Sequence, residues 1–140
     1  MLPNYDWDEL ASLWDGNEFR AVHDWLNHRW GQLVKSRVLR DDDPDARFLQ
    51  GLAFAALALH FTQCGNQEGS LMMIDDAMIF LAPYVPSHQG VAVEPVLQSL
   101  AELRPLLVGL PPDAPCPMQP FVYRKFRLAR AVGCEVPAIH

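Results

Sequence analysis

The feature that most constrains this chain is the set Leu49, Leu52 and the run Ala53 to Leu59, which is apolar on every side of a helical wheel. A helix without a polar face has to be covered all round, so it predicts a central element with other helices packed about it. Pro44 stands before this segment and Cys64-Gly65-Asn66 after it. Proline is tolerated in the first helical turn and glycine takes the left-handed position beyond the last, so the spine of the fold is expected over about Asp45 to Gln63, with Asp43 or Pro44 starting it.

The flanking segments show the ordinary one-sided pattern. Leu10, Leu13 and Trp14 recur at three and four residues within Asp6 to Trp14, and Asp15-Gly16-Asn17 stops that helix. Phe19, Val22, Leu26, Trp30 and Leu33 form a stripe over about Glu18 to Val34. Beyond the spine, Leu71, Ile74, Ala77, Met78 and Leu81 define a helix over Gln67 to Leu81, capped by Asn66 and closed by the Pro83-Tyr84-Val85-Pro86 turn. A fifth helix is expected over about Glu94 to Leu107, with Pro105 kinking or shortening its end. Gly69 reads as a small residue where the fourth helix crosses a neighbour.

The fold class that follows is all-α: a compact bundle of about five helices built from two helical hairpins. Gly16-Asn17 and Gly65-Asn66 echo one another between paired helices, and the second hairpin has the shape of a tetratricopeptide unit without the stacked copies such repeats need. Residues 1–110 are read as the bundle. Residues 111–140 are read as a Pro-rich strap, with five prolines from Pro111 to Pro120, and a basic tail packing on the same domain. That tail places Arg124, Lys125, Arg127 and Arg130 among aromatic residues, whereas residues 1–24 hold six acids and one base.

Half of the residues are hydrophobic, enough for a real core, and the net charge of -6 argues against coating nucleic acid. The basic tail is accordingly read as a packing segment first and an RNA contact second. Cys64, Cys116 and Cys134 are odd in number and far apart, so no disulfide framework or zinc knuckle is expected, and a cytoplasmic setting fits best. The acidic start does not look like a signal peptide, and no apolar run has the length of a membrane span.

Three segments resemble a known family: Gly16 to Trp30, Arg47-Phe48-Leu49-Gln50-Gly51-Leu52, and Gly65-Asn66-Gln67-Glu68-Gly69. Together, over roughly residues 10–85, they are similar to the domain of unknown function 309 family. The resemblance implies a small all-helical protein and no established activity. In its first signature His23, Asp24 and Trp30 match, while Asn27 stands at the position of a second acid. Phe54 replaces a glutamine, and His60 falls one residue from a histidine of the pattern.

The same residues carry the candidate site. His23, Asn27 and Trp30 share one helix face, and Arg47 and Gln50 are expected to come near Asn27 and Trp30 across an antiparallel hairpin, with Gly51 permitting close approach. Two readings stay open. In one the set is a buried polar network that fixes helix pairing; in the other it is a pocket with His23 as base and Arg47 as anion clamp. A metal site is not expected, because His23 and His28 lie about 140 degrees apart on the helix and Asp24 points about 100 degrees from His23. No nucleophile motif or nucleotide loop is present, and Cys64 reads as a half-buried small residue. Met72, Met73 and Met78 read as core filler, and Trp25 as a contact to the first helix or the tail, or as exposed.

The function that follows is a non-enzymatic interaction or scaffold domain with a protein partner or a second copy, without cofactor and away from membranes. Its rival is a small-anion binder or hydrolase-like enzyme using His23 and Arg47.

Overall fold

The computed structural model describes residues 7–36, 43–111 and 114, and for Ser36 the backbone alone. It is an all-α bundle: α1 Trp7–Asp15, α2 Phe19–Ser36, α3 Pro44–Gln63, α4 Gln67–Leu81 and α5 Glu94–Val108. Between α4 and α5 lie a 3₁₀ turn, Ala82–Tyr84, and two short antiparallel strands, β1 Ser87–His88 and β2 Val91–Ala92. Most of the strap and the whole basic tail, with Cys116 and Cys134, lie outside the described residues.

The caps follow from local chemistry. Asp43 accepts from the Ala46 amide at 3.0 Å and Pro44 occupies the first turn of α3. Asn66 accepts from the Gly69 amide at 2.9 Å to start α4. At the other end of α3, Gly65 adopts φ 78°, its N–H donating to Thr62 O and that of Asn66 to Phe61 O, which satisfies two of the last carbonyls. The end of α1 repeats the arrangement with Asn17, not Gly16, in the left-handed position at φ 63°: Asn17 donates to Trp14 O and Glu18 to Leu13 O. The two Gly-Asn echoes are therefore offset by one residue in backbone conformation.

As its sequence predicts, α3 is central. Phe48, Leu49, Leu52, Ala55, Ala56, Ala58 and Leu59 are fully buried, and the helix packs against α2 and α4. Gln63 Nε2 donates to Asn17 O at 2.8 Å, so the end of α3 lies beside the start of α2 and the two run antiparallel. Toward α4 the backbones approach closely at Gly51, where an added Cβ would stand 2.7 Å from Leu81 Cδ2 and 2.8 Å from its Cγ. Gly51 thus opens space for α4, whereas the sequence reading assigned that close approach to the α2 side. Gly69 meets α3 similarly, with Phe61 Cδ2 3.0 Å from where its Cβ would be. A buried hydroxyl pair fastens the same two helices: Thr62 Oγ1 and Ser70 Oγ lie 2.6 Å apart and both reach Ala58 O, at 2.8 and 2.9 Å.

Trp25 settles against α1. It is 7% exposed, its Nε1 donates to Glu9 Oε1 at 2.6 Å, and its ring centre is 5.7 Å from that of Trp7. Arg29 lies over the same ring at 4.2 Å. One expectation is corrected here, that Pro105 shortens the end of α5. Pro105 lies inside α5, which continues to Val108 because a single missing N–H near a helix end removes only its bond to Ala101 O. The Pro83–Pro86 turn is extended by the β1–β2 hairpin, whose Gln89 and Gly90 have φ 51° and 81°, the two left-handed residues of a tight hairpin turn.

Candidate functional site

The polar residues singled out in the sequence are dispersed along the bundle. His23 is half-buried, with Nδ1 3.2 Å from Asp24 Oδ1, and Arg20 Nε reaches the same oxygen at 3.4 Å. The His23 hydrogen bond holds the Asp24 carboxyl below its ordinary range, with Arg20 adding to the effect and a slight burial opposing it. Two adjacent side chains therefore meet, although the wheel sets them about 100 degrees apart. Asn27 is exposed, and Trp30 is half-buried against the core. Gln50 is half-buried. His60 is half-buried too, its Nε2 3.7 Å from Sγ of Cys64, which is exposed and not half-buried.

Arg47 does not join His23. Its guanidinium carbon lies 4.1 Å from the centre of the Phe80 ring, on the face that Gly51, one turn later, also turns toward α4. With Gln63 beside Asn17, Gln50 comes level with Trp30 but His23 comes level with Leu57. Ten residues separate that level from Arg47, about 15 Å along the axis. A pocket or network joining His23 to Arg47 is thereby replaced by separate contacts: an exposed Arg20–Asp24–His23 cluster on α2 and an arginine–phenylalanine stack between α3 and α4.

The polar constellation the fold does assemble centres on Asp45. Placed in the first turn of α3, where the helix dipole favours a carboxylate, its side chain is 7% exposed. The β1–β2 hairpin folds over it. His88 Nε2 lies 3.0 Å from Asp45 Oδ1 and Gln89 Nε2 donates to the same oxygen at 3.2 Å. Burial works against ionisation of Asp45, but the hydrogen bonds from His88 and Gln89 and nearby positive charge outweigh it, so the carboxyl titrates below its ordinary value. Tyr84 closes one side by donating its hydroxyl to Pro44 O at 2.8 Å. Burial raises the Tyr84 pKa, against an opposing effect of Arg47.

Aromatic rings flank the imidazole. The centres of Phe48 and Tyr84 are each 4.7 Å from that of His88, and Phe48 meets Tyr84 at 5.6 Å and Trp7 at 6.3 Å. An aspartate bonded to one nitrogen of a histidine is the geometry that orients a general base, and it leaves Nδ1 as the nitrogen able to take a proton. Among the described residues no Ser or Cys is bonded to His88, and no group of three His, Cys, Asp or Glu side chains converges as a metal site. A hollow of about 490 Å³ opens elsewhere, at the start of α4 between Gly65, Asn66, Gln67, Glu68 and Leu71.

The sequence reading missed Asp45, Tyr84, His88 and Gln89. A local signal existed in Ser87-His88-Gln89-Gly90-Val91, where a glycine follows a polar residue between short extended segments. Nothing local links it to Asp45. Among the described residues no helix is long and apolar enough to cross a membrane. No family model, no curated protein and no solved structure matches the chain.

Proposed function

We propose that this protein is a non-enzymatic helical interaction module, a scaffold whose polar clusters fasten its own elements together. The observation that carries the reading is a set of large apolar side chains turned to solvent: Met72 and Ile79 of α4 are 58% and 66% exposed, and Val108 of α5 is 54% exposed. These side chains lie on two helices that pack side by side, which leaves apolar surface open to contact with another macromolecule. Met72, expected in the core, is part of it.

The Asp45–His88 pair supports the same reading. Its carboxylate oxygen receives two side-chain donors, and the imidazole packs against Phe48 and Tyr84, so the pair pins the hairpin to α3. The rival reading, a small-anion binder or hydrolase-like enzyme built on His23 and Arg47, has no supporting contact between those residues. Kinship with the domain of unknown function 309 family and a cytoplasmic setting belong to the proposal too, the first resting on the three sequence signatures and the second on the cysteine pattern.

The test compares the wild type with His88→Ala. The wild type is assayed for hydrolysis of activated esters and phosphate esters, and its melting is followed with inorganic phosphate, sulfate and carboxylates. The expected result is no His88-dependent turnover, no ligand stabilisation and a lowered melting temperature in the variant. Turnover that disappears in His88→Ala at unchanged stability overturns the proposal.

A further inference from the structure

Met72, Asp75 and Ile79 follow one another along α4 at three and four residues and so lie on one stripe. Ala101, Arg104 and Val108 repeat the same spacing on α5. The stripes are neighbours, because Arg104 Nε donates to Asp75 Oδ1 at 2.8 Å and its Nη2 to Oδ2 at 3.3 Å. Gln67, at the start of α4, donates to Leu107 O near the end of α5, so the helices run antiparallel. Met72 thus lies toward the Val108 end of the pair, and Ile79 toward the Ala101 end. All four are exposed. The resulting face has an ion pair at its centre and an apolar side chain at each corner.

We propose that this face is a self-association surface whose occupant is a second copy of the chain, related by a two-fold axis. This rests on the interaction-module reading and names its partner. In a face-to-face dimer the axis lies in the contact plane. When it runs along the groove between α4 and α5, Asp75 stands opposite Arg104 of the partner subunit, Met72 opposite the partner's Val108, and Ile79 opposite the partner's Ala101. When it runs across the helices, Asp75 meets the partner's Asp75 and Arg104 the partner's Arg104. Charge therefore selects the first arrangement and rejects the second.

A second copy fits this face better than an unrelated partner because the face matches itself. One acid and one base sit side by side between apolar corners, so a copy turned about the groove sets opposite charges together and apolar side chains together. Two 15-residue helices side by side give a contact about 22 Å long and about 20 Å wide, small for a dimer interface. The dimer is accordingly reversible and concentration-dependent.

Sedimentation velocity on the full chain over a wide concentration range tests it, with circular dichroism confirming the fold of each variant. The wild type is expected to shift from monomer to dimer mass. Asp75→Arg and Arg104→Asp each set two like charges against two like charges, and each is expected to weaken self-association at least about tenfold. Mixed in equal amounts, the two variants present only opposite charges to one another and form a heterodimer. Ile79→Glu, which leaves the ion pair intact, abolishes the dimer by a second route. A wild type that stays monomeric, variants that dimerise like the wild type, or a mixture that does not combine overturns the proposal. Those outcomes leave the module reading standing, which falls instead to His88-dependent turnover.

Discussion

His88 Nε2 lies 3.0 Å from Asp45 Oδ1, joining the first strand of a hairpin to the first turn of a helix, 43 residues apart in the chain. The bond is part-buried, and the imidazole packs against both Phe48 and Tyr84. His88→Ala removes both the donor and the packing and leaves a buried carboxylate with less support. We expect a loss of about 1–3 kcal/mol in unfolding free energy. Asp45→Asn keeps an acceptor and costs less. Urea denaturation of both variants checks the order.

The pH dependence has a definite sign. Asp45 titrates below its ordinary 3.8 in the folded protein, so the unfolded chain binds more protons in that range. The stabilisation from the carboxylate is complete above the ordinary value and is lost as pH falls through the lower folded value. Asp24 and Asp75 shift in the same direction, but they are exposed and solvent screens them. Urea midpoints measured on either side of pH 4 are expected to fall more steeply on acidification for the wild type than for Asp45→Asn. Equal slopes would show that Asp45 carries none of the effect.

Two glycine substitutions are expected to act in opposite directions. Gly51→Ala drives a methyl into Leu81, whose Cδ2 and Cγ lie within 2.8 Å of the added atom, and is expected to destabilise by about 1–3 kcal/mol. Gly31→Ala, within α2, has nothing within 4 Å of its added carbon and gains helix propensity, up to about 1 kcal/mol. Thermal melts of the two variants measure the contrast directly.

The Thr62–Ser70 pair gives a double-mutant cycle. Removing either hydroxyl leaves the other with fewer buried partners, and Ser70→Ala or Thr62→Val alone is expected to cost about 1–2 kcal/mol. The double variant removes both polar groups and is expected to cost less than the sum of the singles. Additive losses would mean that the hydroxyls act independently.

The bounds of α4 were legible because their determinants are local: a left-handed Gly65, an Asn66 cap and a regular apolar stripe. The central place of α3 was legible for the same reason that its orientation was not. A helix apolar all round must be buried, yet it offers no polar face to say which side meets which neighbour. The sequence reading turned Arg47 and Gly51 toward α2, and the fold turns them toward α4, onto Phe80 and Leu81. The Asp45–His88 pair was hidden by its separation along the chain and by strands of two residues, too short for any periodicity to register.

Its 20 residues make α3 about 30 Å long, with the His88 clamp at one end and the Gln63–Asn17 bond at the other. Gripped on its flanks by α2 and α4, the middle of such a rod has no private route to loosening. Amide exchange over its buried centre, Phe48 to Leu59, is expected to report the global unfolding equilibrium, while the end turns open locally.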